Sequence, residues 1–256
     1  MDVKVTLCYV VLLLFSLSSA EDVKIVVKGD LSNKFLSNAI KAFNPLRVRL
    51  GGSMEDQIVF LVFVLKVFTP WAAPWVGEAG GAYNSGSKDV SHTFVNGFWY
   101  LDQLGMTSTL NHKVYCRQTL VGGNYGLLNI TTFIPNPNYY GALLWHRLMG
   151  SKVLSVSHEG SPFLRAYAHC SKKGPGITVR HINMSNSTTF NVSFVDDMNL
   201  YPVFETVPGR VPMTTREEYH LTPKDGNIRS DVVLLNGTPL QLTESLDIPE
   251  TKPQLR

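Results

Sequence analysis

The 256-residue sequence contains only three cysteines, which is too few for a scaffold held by a disulfide framework. Cys8 lies in an N-terminal segment that we expect to be removed from the mature chain. Cys116 and Cys170 remain, and both lie in apolar stretches with the pattern of strands, where a thiol is more often buried than bonded. The sequence therefore allows at most one disulfide.

Charge is also sparse, since charged residues make up 17% of the sequence and the net charge is +3. Lys172 and Lys173 form the only pair of adjacent basic residues, so the sequence has no basic patch of the kind that binds nucleic acid. No group of His, Cys, Asp and Glu has metal-ligand spacing, and no phosphate-binding loop is present. We therefore expect no nucleic-acid partner, no metal and no cofactor. A hydrophobic content of 44% predicts a globular protein of one or two domains.

No apolar run reaches the roughly 20 residues that a transmembrane helix requires. Residues 7–17 are apolar and are followed by Ser18, Ser19 and Ala20, which is the pattern of a secretory signal peptide cleaved after Ala20. We expect the mature chain to enter the secretory pathway and to reach the cell exterior, a lysosome or a vacuole.

Five Asn-x-Ser/Thr sequences agree with that route, because this pattern is the acceptor for N-linked glycan. One such sequence can arise by chance, whereas five behind a signal peptide indicate a glycoprotein. Three of them crowd into residues 183–191, so not all need carry glycan. The candidate acceptors are Asn129, Asn183, Asn186, Asn191 and Asn236.

Residues 58–68 form an unusual apolar run that contains Lys66. The run is too short to span a bilayer, and its periodicity fits either a strand or a buried helix. A membrane-inserting hairpin and a peripheral association with membranes are left open as alternatives.

The pattern around Glu78 is that of a strand followed by a tight loop. Trp75 and Val76 are expected at the end of a buried strand, Glu78 follows, and residues 79–82 are small, which lets the backbone turn sharply. Barrel enzymes place catalytic carboxylates where a strand gives way to such a loop. The alternative is a partly buried glutamate that hydrogen-bonds its own turn.

Two helices are predicted after this loop. Asp89 or Ser91 is expected to cap the first, which ends at Gly105, and the second covers residues 138–149 and is ended by Gly150. Alternating apolar patterns predict strands on both sides of the helices, and the chain beyond Gly150 is expected to be an all-β module. The predicted strands cover residues 22–27, 46–50, 114–120, 152–158, 164–170, 177–183, 188–195, 216–222 and 232–242.

Five segments carry a resemblance to a known family. The longest are residues 75–86 and 93–105, and the others are Arg117-Gln118, residues 123–125 and residues 165–170. They resemble the heparanase-like glycoside hydrolases, family 79, and in particular the plant-type members. The resemblance runs from residue 70 to the last residue of the sequence and again over residues 21–57.

The resemblance implies a (β/α)8 barrel followed by a β-sandwich. A complete barrel needs about 250 residues, far more than residues 46–150 provide, so the middle of the barrel is expected to be missing near residues 58–69. The expected fold class is therefore α/β plus all-β, with an incomplete (β/α)8 TIM-type barrel and a C-terminal β-sandwich. The expected domains are a signal peptide at residues 1–20, an N-terminal barrel strand region at 21–57, an apolar junction at 58–69, the C-terminal part of the barrel at 70–150 and the β-sandwich at 151–256.

The resemblance also implies roles for single residues. Glu78 matches the catalytic nucleophile, and Asp56 matches an acid that lines the substrate cleft. The backbone amides of Asn84 and Ser85 stand where the family contacts the sugar, although animal heparanases have glycines there, and Tyr125 matches the tyrosine that reads the uronate carboxylate. Taken alone, Asp56 also fits a solvated loop acid or a helix cap, and Tyr125 also fits an aromatic that covers the barrel end.

The implied activity is retaining hydrolysis of β-glucuronides or of glycans that contain glucuronic acid. A retaining glycosidase needs two carboxyl groups roughly 5–5.5 Å apart, and in this family the acid/base is the glutamate of an Asn-Glu pair. The sequence contains no Asn-Glu dipeptide, so we expect a carbohydrate-directed chain that is inactive or very weak as a hydrolase. The alternatives are a non-catalytic carbohydrate-binding remnant and a truncated splice product.

Overall fold

The computed structural model of the chain describes residues 34–42, 75–194 and 216–256. All of them lie in one compact unit, Asn33–Arg256. The described helices are α1 (Lys34–Lys41), α2 (Val95–Thr109) and α3 (Pro137–Leu148). The described strands are β1 (Trp75–Ala79), β2 (Val114–Arg117), β3 (Met149–Leu154), β4 (Leu164–Ser171), β5 (Ile177–Asn183), β6 (Glu217–Glu218), β7 (Leu221–Pro223), β8 (Val233–Leu235), β9 (Thr238–Pro239) and β10 (Gln254–Leu255).

Several expected features lie outside the described residues. They are the signal peptide at residues 1–20, the strands at 22–27 and 46–50, the substrate-cleft acid Asp56 and the apolar run at 58–68. For these features the sequence-based expectations stay predictions.

Strands β1 and β2 pair in parallel, and helix α2 lies between them in sequence. Parallel neighbours need a crossover of about a dozen residues or more, and a helix is the usual one. A strand, a helix and a parallel strand form the repeating unit of a (β/α)8 barrel. The structure therefore contains one such strand–helix–strand unit of the expected incomplete barrel, and the described strands form no closed barrel. Strand β2 is shorter than expected, because it ends at Arg117 and the chain then enters a loop.

Helix α2 begins without a side-chain cap. Its N-cap residue is Phe94, whose N–H donates to the carbonyl of Ser230 at 2.9 Å, and the next N–H donates to the carbonyl of Ile228 at 2.9 Å. The prediction that Asp89 or Ser91 caps this helix is therefore wrong. Acceptors from a distant part of the chain satisfy the first N–H groups that a local cap otherwise serves.

The prediction that Gly105 ends helix α2 is also wrong, since the helix continues to Thr109. A Cβ atom at Gly105 would collide with the ring of Tyr167 on β4. One turn earlier on the helix, Asp102 accepts a hydrogen bond from the Tyr167 hydroxyl at 2.6 Å. Gly105 therefore lets the sheet that contains β4 lie directly against the helix.

Helix α3 is deeply buried, and its bounds agree with the predicted helix to within one residue. Pro137 suits the first turn because the N–H that it lacks would have no helical partner there. Every residue from Pro137 to Leu144 is buried, and Tyr139 and Leu143 are 0% exposed. Helix α3 forms the hydrophobic core together with Tyr100, Leu127, Leu128, Val233, Leu235 and Leu240.

The described strands that follow α3 all pair in antiparallel fashion. They form one sheet with the order β3-β4-β5, a second with the order β7-β8-β9, and the pair β10-β6. The pairing of β4 with β5 is unbroken from Leu164↔Asn183 to Cys170↔Ile177. The packing of these sheets as the two layers of a sandwich stays a prediction.

Four of the strands predicted in this part differ from the structure. The strand predicted at residues 152–158 is β3, Met149–Leu154, which starts three residues earlier and ends four residues earlier. Residues 188–194 contain no strand, and the predicted strand at 216–222 is divided into β6 and β7. The predicted strand at 232–242 is a hairpin, β8 and β9, because Asn236 and Gly237 form a turn with positive φ angles of 50° and 86°. Asn-Gly is the preferred pair for such a two-residue turn.

Candidate active site

The sequence pattern placed Glu78 after the end of a strand, whereas in the structure Glu78 lies inside strand β1. Residues alternate between the two faces of a strand, and Val76 and Glu78 share the buried face, with 2% and 7% of their surface exposed. Trp75, which was expected to be buried, is 61% exposed. Glu78 is therefore a buried ionisable residue beside the buried Val76.

The pairing of β1 with β2 is irregular at Glu78. Val76 pairs with Tyr115 and Ala79 pairs with Arg117, so β1 contains one more residue than β2 over this interval. An extra residue of this kind is a β-bulge, which bends the strand and changes the direction of the side chain beside it. Glu78 thus lies in a bulge one residue before the end of its strand.

The side chain of Arg117 holds three backbone segments together at this end of the strand pair. Its Nη1 donates to the carbonyl of Ala79 at 2.9 Å and to that of Gln118 at 2.6 Å, and its Nη2 donates to the carbonyl of Tyr125 at 2.6 Å. The N–H of Gln118 donates to the same Ala79 carbonyl at 3.0 Å. The residue that follows Glu78 is therefore tied to β2 and to the loop that contains Tyr125.

Three aromatic rings surround the Arg117 guanidinium, whose Cζ atom lies 4.9 Å from the ring centre of Tyr100, 5.2 Å from that of Trp99 and 5.6 Å from that of Tyr125. Ring faces attract cations at these distances. No ion pair involves Arg117 within the part of the chain that the structure describes, so carbonyl oxygens and ring faces stabilise its charge. Desolvation lowers the pKa of Arg117, while burial raises the pKa of Tyr100 to about 12 and the charge of Arg117 opposes that rise.

Tyr125 packs directly on the loop that follows Glu78. The tyrosine is 6% exposed. A Cβ atom at Gly80 would lie 2.7 Å from Tyr125 Cζ and 3.1 Å from its hydroxyl oxygen, and one at Gly86 would lie 3.1 Å from Tyr125 Cδ1. All three distances are shorter than van der Waals contact, so the absence of a side chain at the two glycines is what allows the ring to lie against the loop.

Asn84 and Ser85 form the exposed turn of this loop. Their φ angles are 49° and 65°, in the left-handed region that residues other than glycine rarely adopt. Asn124 supports the turn, because its N–H donates to the carbonyl of Ser85 at 2.7 Å and its Nδ2 donates to the carbonyl of Gly86 at 2.7 Å. The N–H groups of Asn84 and Ser85 face no acceptor in the described part of the chain.

The structure therefore brings four predicted site residues to one end of the strand pair: Glu78, Asn84, Ser85 and Tyr125. Asp56 lies outside the described residues. Two residues that organise this end, Arg117 and Asn124, had been noted only as part of a resemblance. A signal for Arg117 was present in the sequence, since a cation within an otherwise apolar predicted strand needs a buried partner.

The candidate glycan acceptors are distributed over four places in the described chain. Asn183, Asn186 and Asn191 are exposed at the end of β5 and in the segment after it. Asn129 is partly buried, and its Oδ1 accepts the N–H groups of two following residues at 2.9 and 3.0 Å. Asn236 is partly buried in the turn between β8 and β9.

The described residues, 34–42, 75–194 and 216–256, offer neither a cluster of metal ligands nor a membrane-spanning helix. They contain no group of three or more His, Cys, Asp or Glu side chains that could hold a metal ion. No helix within them has both the length and the apolar composition to cross a membrane.

Comparison with known proteins places these features in a family. The model of the glycosyl hydrolase family 79 N-terminal domain matches residues 19–64 and 61–105. Heparanase-like protein 2 of Arabidopsis thaliana is 54% identical over 202 residues, which cover 72% of this chain and 38% of that protein. For heparanase-like protein 1 of the same plant the values are 44% over 261 residues, 95% and 45%.

A third relative has a more specific name. Baicalin-beta-D-glucuronidase of Scutellaria baicalensis is 50% identical over 182 residues, which cover 71% of this chain and 32% of that protein. The chain thus spans less than half the length of these three relatives.

Proposed function

Because the chain belongs to glycosyl hydrolase family 79 as a heparanase-like protein, we propose that its site is directed at β-glucuronides or at glycans that contain glucuronic acid. The observation that carries the proposal is the position of Glu78, a buried carboxylate beside a bulge at the end of a strand in a parallel pair. Enzymes built on this strand arrangement keep their catalytic groups at that end. The name of the Scutellaria relative supports a glucuronide as the sugar.

In the proposed chemistry, Glu78 is the nucleophile that attacks the anomeric carbon and forms a covalent glycosyl-enzyme. The Tyr125 hydroxyl donates a hydrogen bond to the uronate carboxylate, and the N–H groups of Asn84 and Ser85 bind sugar oxygens. The loop contacts described above support these roles, since they fix Tyr125 and the turn relative to the strand of Glu78. Asp56 is assigned to the substrate cleft on the family resemblance alone.

We also infer that hydrolysis by this chain is impaired. The sequence has no Asn-Glu pair to supply the acid/base, and the family model matches two segments that meet at residues 61–64, which supports a loss of the intervening barrel strands. Without an acid the leaving group departs unprotonated, and general acid–base catalysis contributes about 10²–10⁴-fold. An aryl glucuronide with a good leaving group should then react slowly, whereas a natural glycan should not react.

A non-catalytic carbohydrate-binding protein is the second candidate. It is favoured by the fact that the residues assigned to sugar binding, Asn84, Ser85 and Tyr125, lie in the described chain while the acid/base motif is absent from the sequence. A truncated splice product is the third. Transcripts that insert barrel-coding sequence between Gln57 and Thr69 would identify the chain as a shortened form of a complete sibling.

The proposed location is the secretory pathway, with delivery to the cell exterior, a lysosome or a vacuole. It is supported by the signal-peptide pattern at residues 1–20 and by the exposed sequons at Asn186 and Asn191. Peripheral association with membranes through residues 58–68 belongs to the same proposal. Release of soluble protein from membranes by high-pH carbonate would separate peripheral association from insertion.

A mechanism-based fluorinated glucuronide with a good leaving group tests the proposed function. We expect the full chain to be labelled slowly at Glu78, and the variant Glu78→Gln not to be labelled. Labelling of another carboxylate would overturn the assignment of the nucleophile. Binding of glucuronate without any labelling would favour the non-catalytic candidate, and cleavage of a natural glucuronide at the rate of full-length relatives would contradict the impairment.

A further inference from the structure

Asn236 is a predicted glycan acceptor that occupies an unusual position for one. It is the first residue of the two-residue turn between β8 and β9, with φ 50°, and Gly237 follows with φ 86°. Asn-Gly is the pair that such a turn prefers, because both residues must adopt positive φ. The Asn-Gly-Thr sequence therefore has a structural explanation that does not involve glycan.

The side-chain amide of Asn236 is fully engaged with backbone groups. Its Oδ1 accepts the N–H of His220 at 2.9 Å, and its Nδ2 donates to the carbonyls of Glu218 at 3.0 Å and Lys252 at 3.4 Å. Its own N–H donates to the carbonyl of His220 at 2.8 Å. One residue thus connects the β8–β9 turn with the junction of β6 and β7 and with the segment that precedes β10.

N-glycosylation of Asn236 is incompatible with these contacts. The reaction transfers the glycan from a lipid-linked pyrophosphate: the sugar C1–O bond breaks, a bond from C1 to Nδ2 forms, the lipid pyrophosphate leaves, and the Nδ2 proton passes to a base. One of the two N–H bonds of Nδ2 is thereby replaced, so at most one of the two donated hydrogen bonds survives. The sugar ring would also stand at an atom that has backbone carbonyls 3.0 and 3.4 Å away. Folding around a glycan at this position would require the segment containing Glu218 or the one containing Lys252 to move.

The other sequons differ from Asn236. Asn186 and Asn191 are exposed and donate no hydrogen bond from their amides within the described chain. Asn183 donates to the carbonyl of Thr188 at 2.8 Å, but both residues are exposed, and the bond joins the end of β5 to the segment that follows it. Asn129 uses only its Oδ1, as an acceptor in its own turn.

We propose that the folded protein carries N-glycan at Asn186 and Asn191 while Asn236 stays unmodified and holds the last strands of the chain together. The structural part of this proposal does not depend on the glycosidase function. Its glycan part uses the secretory route proposed above.

The glycan part is tested by secreting the full chain from a eukaryotic host and removing glycan from the folded, soluble fraction with an amidase in H₂¹⁸O. The amidase converts each glycosylated asparagine to an ¹⁸O-containing aspartate, which peptide mass spectrometry distinguishes from spontaneous deamidation. We expect ¹⁸O at residues 186 and 191 and none at residue 236. The sequon-removing variant Thr238→Ala should have the same glycan mass as wild type, whereas Asn186→Gln should lose one glycan.

The structural part is tested by comparing Asn236→Asp with Thr238→Ala in unglycosylated protein. Asp tolerates positive φ and keeps the acceptor for His220, but it presents an oxygen to two carbonyls, so we expect its Tm to fall by about 5 °C. Thr238 is exposed, and the substitution Thr238→Ala removes only the sequon, so the Tm of this variant should differ from that of the wild type by about 1 °C or less. Substantial ¹⁸O at residue 236 in folded protein, or an unchanged Tm for Asn236→Asp, would overturn the proposal. Secreted protein with no ¹⁸O at residues 186 and 191 would overturn the glycan part of the proposal, and the Tm comparison would still decide the role of Asn236.

Discussion

The strand pair β1–β2 and the strand pair β4–β5 are held together in different ways. Strands β4 and β5 pair in antiparallel fashion over seven consecutive positions without a register shift, from Leu164↔Asn183 to Cys170↔Ile177. Strands β1 and β2 are parallel, short and interrupted by the bulge at Glu78, and the side chain of Arg117 supplies contacts that the backbone does not. The candidate site therefore depends on a few side chains, whereas the C-terminal sheet depends on a regular backbone ladder.

The largest expected effect comes from removing the arginine of the β1–β2 pair, and the arginine of the β4–β5 pair provides the control. Arg117 lies on β2 and Arg180 lies on β5, and in both the Nε atom is buried and makes no hydrogen bond in the described chain. Desolvation lowers the pKa of both side chains, that of Arg180 to about 10. They differ in that Arg117 donates to three carbonyls, and no hydrogen bond from the Arg180 side chain is present among the described residues. We expect Arg117→Met to lower the free energy of unfolding by about 3 kcal/mol or more, because three hydrogen bonds from a charged donor are lost. The carbonyls of Ala79 and Tyr125 each keep a second donor, and that of Gln118 has no other in the described chain.

Arg180→Met is the matched control. An apolar residue of similar length removes a charge whose Nε is buried and has no hydrogen-bond partner among the described residues, so this change should be neutral or stabilising. Urea unfolding of both variants measures the difference. Equal losses for the two variants would show that the C-terminal sheet relies on its buried cation as much as the β1–β2 pair does, and the comparison would fail.

Local patterns in the sequence were sufficient for the elements that local contacts stabilise. Helix α3 has Pro137 in its first turn, and β4 and β5 have regular alternation, so their bounds were predicted to within one residue. The start of helix α2 was missed because its acceptors, the carbonyls of Ile228 and Ser230, come from a distant part of the chain. No local pattern contains that information.

The residues of the candidate site also differ in whether a local sequence pattern could indicate them. Glu78 could be singled out because a strand followed by small residues is a local signal, and its role came from the family resemblance. Arg117 and Asn124 act through hydrogen bonds to Ala79, Ser85 and Tyr125, which are contacts that only the fold creates. Their function as organisers of the site therefore appears only once β1 and β2 are paired.

A smaller effect is expected where the two regions meet, at the contact of helix α2 with the β3-β4-β5 sheet. Gly105→Ala would place a methyl group in the ring of Tyr167, and overpacking of this kind costs about 1–3 kcal/mol, from which about 1 kcal/mol of helix propensity is recovered. Gly97 lies in the same helix and has no atom within 4 Å of its added Cβ. Gly97→Ala should therefore stabilise the protein by up to about 1 kcal/mol.

Thermal unfolding of the two alanine variants gives opposite signs if the close approach at Tyr167 is correct. In a protein that already contains Tyr167→Ala, the substitution Gly105→Ala should be less destabilising than it is in the wild type, because the ring with which the new methyl group collides is absent. Two stabilising alanines would show that the helix and the sheet are farther apart than the structure places them.

The smallest expected effect is a pH dependence, and it compares one histidine from each region. His112 lies just beyond helix α2, with its Nδ1 3.0 Å from the carbonyl of Thr107, and His181 lies on β5 against the ring of Phe194, with ring centres 5.7 Å apart. Desolvation lowers the pKa of His112, opposed by the hydrogen bond to Thr107. Desolvation also lowers the pKa of His181, and the charges of Arg180 and His158 lower it further.

A histidine whose pKa is lower in the folded state than its ordinary value of about 6.5 is protonated first in the unfolded chain. The unfolded state then binds more protons, so stability is full above pH 6.5 and is lost as the pH falls from there through the folded-state pKa values. We expect the free energy of unfolding to fall between pH 7 and pH 5, by less than about 1 kcal/mol for each ring because both are partly exposed to water. His181→Phe should flatten this slope more than His112→Gln does, because two neighbouring cations oppose protonation of His181 and none is present among the causes at His112. A slope that is unchanged by His181→Phe would place the pH sensitivity outside the C-terminal sheet.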